Sequence, residues 1–258
     1  MVTLSRNKEA RKPSPDAMTL TEHLGELRRR LVICAVAFTI GAVISYTLYN
    51  WILHILTTPY CNIRPHSCQL YITAPLQGFG LRLDVAAYGG LFLALPVILW
   101  QLWRFVTPGL KANEKKYALP FVASTLILFT IGALVAYETF PHALGFLISV
   151  GGSHLQEIFS PNSYLQLILL LMLAFGLAFE FPAVLVGLEM ANVLTPAKLS
   201  SWRRPAIIAM VIFAAVATPS SDPFSMLALA IPLLLFYEMA IVIGKVLERQ
   251  RVRSRGRA

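Results

Sequence analysis

Long, predominantly apolar runs such as LFLALPVILW (91–100) and LLLMLAFGLAFEFPAVLVGL (169–188) restrict this chain more than any other feature. Crossing a bilayer core takes about 20 predominantly apolar residues. Six runs stand between polar breaks. They cover about Leu31–Leu56, Phe79–Phe105, Tyr117–Phe140, Tyr164–Met190, Pro205–Ala217 and Phe224–Gly244. The fifth is short, and the TPSSDP at 218–223 that follows it is a tight-turn signal, so the fifth and sixth runs read as a returning helical hairpin. Only 14% of residues are charged, against about 25% in soluble domains. The fold expected is an all-α membrane protein with six transmembrane helices in a concave bundle, spans five and six being short. Residues 1–18 are expected to be a basic cytoplasmic arm, 19–246 the membrane domain and 247–258 a basic tail.

The net charge of +9 would fit a nucleic-acid binder, so its distribution decides. All but two of the 22 basic residues fall on one side of the six-span arrangement; Arg64 and Arg82 are the exceptions. Basic residues gather on the cytoplasmic side of membrane proteins, which puts both termini in the cytoplasm. The charge is then a topology signal and a contact for anionic lipids, with no nucleic acid required. The segments 57–78 and 141–163 read as irregular caps on the far side. Cys61 and Cys68 close a short loop there and can pair if that side is oxidising, a point the sequence leaves open. Cys34 sits in an apolar run as a small hydrophobe.

No G-x-x-x-x-G-K-[ST], H-E-x-x-H or G-x-S-x-G occurs, and the five histidines are scattered without metal-ligand spacing. Nothing points to an enzyme, a metal or a cofactor. The aromatic residues near the span ends read as an interfacial belt.

Three features ask for a functional account. Glu180 lies well inside the fourth run, where a carboxylate costs about 2.5–3.5 kcal/mol to insert. Pro182 removes a backbone bond to Ala178 and kinks the helix beside the acid. Glu138, Glu238 and the Arg82/Asp84 pair read as structural. The second feature is EHLGELRRRL at 22–31, a short amphipathic helix for the membrane surface with Leu24, Leu27 and Leu31 on one stripe and Glu22 and Glu26 on another face. The third is FVTPGLKANEKK at 105–116, a tight bend followed by Glu114.

With PVILWQLWRFVTPGL, FPHALGFL, AFGLAFEFP, WRRP and TPSSDPFS in order, the chain resembles the TatC family, the multispanning receptor subunit of the twin-arginine protein translocase. The resemblance covers about residues 18–246. It implies a bacterial cytoplasmic-membrane protein that binds paired-arginine signal peptides of folded cargo, works with TatA-like and TatB-like single-span subunits, self-associates, and draws on the proton-motive force. Carried over, it implies that Glu26 and Glu114 read the arginines, with Arg28 and Phe105 in the same patch. Glu180 matches the acid of the fourth span, and Pro59 a position in the first outer loop. Val216, Asp222 and Met226 fall where a partner helix would dock, although Met226 replaces a glutamine typical of some members and Glu138 replaces an apolar residue. The competing reading is a proton-coupled secondary transporter for a small solute, with Glu180 as relay; it leaves Glu26 and Glu114 idle.

Overall fold

The structure, a computed structural model, describes residues 20–63, 68–106, 118–151, 159–190, 193–219 and 222–255. In hydrocarbon every backbone N–H and C=O must be satisfied inside its own segment, and the regular elements among the described residues are accordingly all helices. They are α1 (Leu20–Thr47), α2 (Tyr49–Ile63), α3 (Gln77–Val106), α4 (Ala118–Gly151), α5 (Pro161–Phe179), α6 (Phe181–Met190), α7 (Pro196–Ser201), α8 (Arg203–Ala217) and α9 (Pro223–Arg255).

Among the described residues five stretches are long and apolar enough to cross a membrane: Leu24–Thr47, Gln77–Arg104, Val122–Val150, Pro161–Glu189 and Pro223–Val246. The expected fifth span is α8, and its 15 residues reach roughly 22 Å at about 1.5 Å per residue, against about 30 Å of hydrocarbon. Span six is not short, contrary to expectation. Pro232 sits inside α9 without ending it, and the apolar part alone runs 24 residues. Neither does the helix stop at residue 246: it continues through Lys245 to Arg255.

Three other boundaries differ from the sequence expectation. The 22–31 segment is no separate surface helix, because α1 runs unbroken from Leu20 to Thr47 with no proline inside it. The first span ends at Thr47 rather than Leu56, where the chain bends and α2 begins. The hydroxyl of Thr47 donates to the Ile44 carbonyl at that bend (2.7 Å). Finally, α4 does not stop at Phe140. Proline is tolerated within membrane helices when neighbours satisfy the freed backbone, and α4 passes through Pro141 to Gly151.

Helices in lipid are held by close packing and hydrogen bonds rather than by water exclusion. Small residues let α1 and α3 touch: a β-carbon at Gly41 would lie 2.8 Å from the Gly90 carbonyl oxygen. On α4 and α5, Gly132 lies against the Phe175 backbone and Gly176 under the Phe129 ring. A core of Val85, Phe140, Leu165, Ile168, Phe175, Leu229 and Ile241 joins α3, α4, α5 and α9.

The α2 cap is fastened by two tyrosines. Pro59 lacks the N–H that would meet the carbonyl four residues back, at Ile55, and the Tyr137 hydroxyl of α4 donates to that oxygen instead (2.8 Å). The Tyr164 hydroxyl donates to the Leu56 carbonyl beside it (2.7 Å). Cys61 and Cys68 are joined in a disulfide, with Cα atoms 4.8 Å apart, which ties the end of α2 to the segment before α3.

Candidate functional site

Two polar places stand out, one at an end of the bundle and one inside it. At the first, α1 and α3 lie side by side. Glu26 and Arg30 are one turn apart on α1, a spacing that makes them neighbours. Arg30 donates from Nε and Nη2 to Oε1 of Glu26, a salt bridge whose side chains are 11% (Arg30) and 24% (Glu26) exposed. Its Nη1 reaches Gln101 of α3, at the side-chain oxygen (3.3 Å) and the backbone carbonyl (3.4 Å). A cleft of about 140 Å³ opens beside the pair, lined by Glu26, Arg29, Arg30, Ile33, Gln101 and Arg104. Arg28 is exposed and does not line the cleft. Phe105 occupies the last turn of α3, four residues after Gln101. Glu114 lies outside the described residues.

The second place is the break between α5 and α6. α5 starts with Ser160 as N-cap, its hydroxyl oxygen accepting from the Ser163 N–H (3.3 Å), and Pro161 in the first turn. It ends where Pro182 can offer no N–H to Ala178, so the continuous run becomes two helices with Glu180 at the joint. Glu180 is half-buried, and its Oε1 is enclosed without a hydrogen-bond partner among the described residues. The neighbouring Phe179 ring meets Phe236 of α9 edge-on at 5.1 Å.

The turn before α9 differs from expectation. Asp222 is 1% exposed and accepts from the Ser225 N–H (2.7 Å) as the N-cap of α9. Its carboxylate is therefore turned inward and offers no surface to a partner, because the first turn of α9 leaves backbone donors that need it. Thr218 is buried as well, its hydroxyl donating to the Ala214 carbonyl (2.9 Å). Of the three residues expected there, Val216 is 79% exposed and Met226 half-buried.

Comparison with known proteins bears on this geometry. The profile of the family described as Sec-independent protein translocase protein (TatC) matches residues 22–232. A Sec-independent protein translocase protein TatC of Frankia casuarinae is 41% identical over 250 residues, covering 93% of this chain and 68% of that one. Its counterpart from Aquifex aeolicus is 38% identical over 237 residues, covering 91% and 98%. A crystal structure of the twin-arginine translocase receptor TatC superposes with a TM-score of 0.74 at 36% identity, covering 86% of this chain and 99% of that one.

The chain belongs to the TatC family.

It is a multi-pass membrane protein of that family. Within this TatC-family chain the structure brings Glu26 beside Gln101 and Arg104 and sets Glu180 at a helix joint. It also shows the partners of residues read as structural, Arg82 and Glu238, and reveals two groups, Arg30 and Glu189, that the sequence pattern did not single out. Arg30 is the partner of Glu26, a pairing that the four-residue spacing could have suggested. Arg82 lies over the rings of Tyr49 (4.8 Å) and Tyr46 (5.9 Å) as a cation–π contact. Glu238 bridges to Arg203 across the α8–α9 pair (2.8 Å). Glu189 is buried against α9 with no hydrogen-bond donor to either oxygen among the described residues, and no local motif marked it.

Proposed function

We propose that the chain is the receptor subunit of a twin-arginine translocase, sitting in a bacterial cytoplasmic membrane with both termini in the cytoplasm. The observation that carries this reading is the Glu26–Arg30 pair: a carboxylate at the end of the bundle already holds a guanidinium. An arginine of a signal peptide replaces Arg30 on Glu26, and the second arginine goes to Glu114. Guanidinium suits this role because it stays charged and meets carboxylate with two parallel N–H donors, which an ammonium cannot do. Arg28 and Phe105 border the same patch.

In this reading α8 completes a sixth crossing, and the lipid-facing side of α8 with the start of α9, at Val216 and Met226, takes a TatA-like or TatB-like helix. Glu180 serves a step after docking, energised by the proton-motive force, and subunits self-associate in the working assembly. The membrane-spanning family relationship supports this setting.

The test is binding of fluorescent peptides to the full chain in nanodiscs. A paired-arginine signal peptide binds, and one with both arginines changed to lysine binds at least about tenfold more weakly. Equal binding of the two peptides overturns the proposal.

A further inference from the structure

Glu138 lies inside the apolar stretch Val122–Val150 of α4, yet its side chain is exposed on the flank of the bundle. Ionisable residues inside membrane spans are rare, and almost always pair or face the interior. Glu138 does neither: it makes no hydrogen bond or ion pair among the described residues. The same holds for His142, also exposed and one turn further along the same face. Both line a groove of about 460 Å³ between α4 and α9. Apart from Thr139, the rest of its lining is apolar, with Ile131 and Leu134 on one wall and Phe224 and Ala228 on the other. Thr139 donates its hydroxyl to the Val135 carbonyl (2.7 Å) and offers no donor to the groove. An apolar track therefore ends in one acid and one imidazole.

The level of that polar pair is fixed by its neighbours. Tyr137 reaches the Ile55 carbonyl of α2, which follows the end of the first span, and the Phe146 ring meets Phe224 in the first turn of α9 (5.9 Å). Glu138 and His142 therefore stand toward the end of the bundle opposite Glu26, beside a tyrosine of the kind that gathers at lipid headgroups. From there Leu134 (55% exposed) and Ile131 (45%) lead toward the membrane interior. A carboxylate only accepts, and an imidazole always has an N–H to donate. Four residues apart on a helix, the two are about 5–6 Å apart at their β-carbons. The complementary ligand carries a cationic N–H donor close to an anionic oxygen, and an apolar tail. A phosphoethanolamine headgroup has its ammonium one ethylene link from its phosphate. A choline headgroup has the same charges but no N–H, and a phosphoglycerol headgroup brings no cation to Glu138. A whole helix, about 10–12 Å across with its side chains, would fill several times the volume of the groove.

We propose that the α4–α9 groove binds an ethanolamine phospholipid, its ammonium on Glu138, its phosphate on His142 and one acyl chain along Leu134 and Ile131 against Phe224 and Ala228.

The experiment uses the full chain in detergent with added phosphatidylethanolamine or phosphatidylcholine of the same acyl chains, and native mass spectrometry counts the lipids retained. Wild-type protein retains phosphatidylethanolamine about tenfold more tightly, the effect of one hydrogen bond to a charged group. Glu138→Leu abolishes the preference, and Glu138→Gln, which keeps an acceptor without the charge, falls between. His142→Ala weakens retention of both lipids and leaves the preference in place. Glu238→Gln, which removes an exposed acid outside the groove, changes nothing. Glu138 and His142 are both exposed, and an unaltered melting temperature without lipid checks that the variants are folded. Equal retention of the two lipids by the wild type overturns the proposal, as does a wild-type preference in Glu138→Leu or undiminished retention in His142→Ala. Displacement of the lipid by an equal concentration of free phosphoethanolamine also overturns it, because the apolar track would then contribute nothing. So does a cysteine at Leu134 that crosslinks to a co-expressed single-span helix in the absence of any lipid preference, which would give the groove to a protein partner.

Discussion

The carboxylate of Glu189 on α6 lies directly over Gly244 on α9, where a β-carbon would run into both of its oxygens. The acid is 6% exposed and has no hydrogen-bond donor among the described residues. Such a group destabilises, because an unsatisfied buried polar group costs about 1–3 kcal/mol. Glu189→Leu is therefore expected to raise the melting temperature in detergent. Gly244→Ala is expected to cost little, because only the movable tip of a side chain stands in the way. Gly90→Ala meets backbone instead, with its β-carbon 2.7 Å from the Ala42 nitrogen, and is expected to cost about 1–3 kcal/mol. Equal effects at the two glycines would contradict this account.

Tyr137 and Pro59 make a second testable pair. The tyrosine hydroxyl serves a carbonyl that the proline leaves without its helical donor. Tyr137→Phe is expected to lower stability by about 1 kcal/mol. In a Pro59→Ala background the restored N–H takes over the Ile55 carbonyl, and the same substitution should then cost less than half as much. A double-mutant cycle on melting measures the coupling. An identical cost in both backgrounds would show that the hydroxyl acts elsewhere.

For Glu26, the Ala variant is expected to weaken paired-arginine peptide binding. A hydrogen bond to a charged group contributes about 1.5–3 kcal/mol, which corresponds to roughly 10- to 150-fold. Glu114→Ala is expected to act in the same direction. Both effects should shrink as salt rises, since exposed pairs are screened beyond about 10 Å at 0.1 M. Isothermal titration at two salt concentrations reads this, and wild-type binding by both variants at low salt rejects the acidic reader.

The helix joint at Glu180 was legible because both causes sit next to each other in the sequence: an acid in an apolar run and a proline two residues later. The short α8 was legible from polar residues at both of its ends. Other boundaries were not. The charges of EHLGELRRRL suggest a surface helix, yet nothing between Leu20 and Thr47 breaks a helix, so the backbone continues. Pro141 looks like a stop and is not, because a membrane helix surrounded by neighbours accommodates it. The inward turn of Asp222 follows from the capping need of α9, which a polar turn sequence does not distinguish from solvent exposure. Glu189 over Gly244 is a contact between distant segments, and no local pattern carries it.

Glu180→Gln is expected to keep the fold and peptide docking while reducing transport. Glu180→Leu should fold equally well, since it removes the cost of an enclosed carboxylate oxygen that lacks a partner among the described residues. Transport of a folded reporter, scored beside peptide binding, separates the steps. Full transport by the Leu variant would exclude a role for the acid.

The last prediction concerns the hydrophobic mismatch at α8. Its roughly 22 Å leaves about 8 Å of a standard hydrocarbon core unfilled, at a fraction of a kcal/mol per Å. Thinning of the bilayer around α8 is one remedy; covering its outer end with another helix is a second. The exposed apolar side chains favour a covering helix, because Val216 is 79% exposed, Phe213 49% and Phe224 49% around a turn whose polar groups Thr218 and Asp222 are already satisfied inside. With those groups turned inward, the contact is apolar rather than a hydrogen-bonded one, and Met226, a soft and adaptable side chain, suits it. Cysteine placed at Val216 or Met226 is therefore expected to crosslink to the outer end of a single-span partner helix, and Val216→Asp to reduce that crosslinking several-fold. Asp222→Ala is expected to weaken the α9 cap by about 0.5–2 kcal/mol, with little change in crosslinking. If crosslinks gather on α1 or α4 instead, the partner covers a different face.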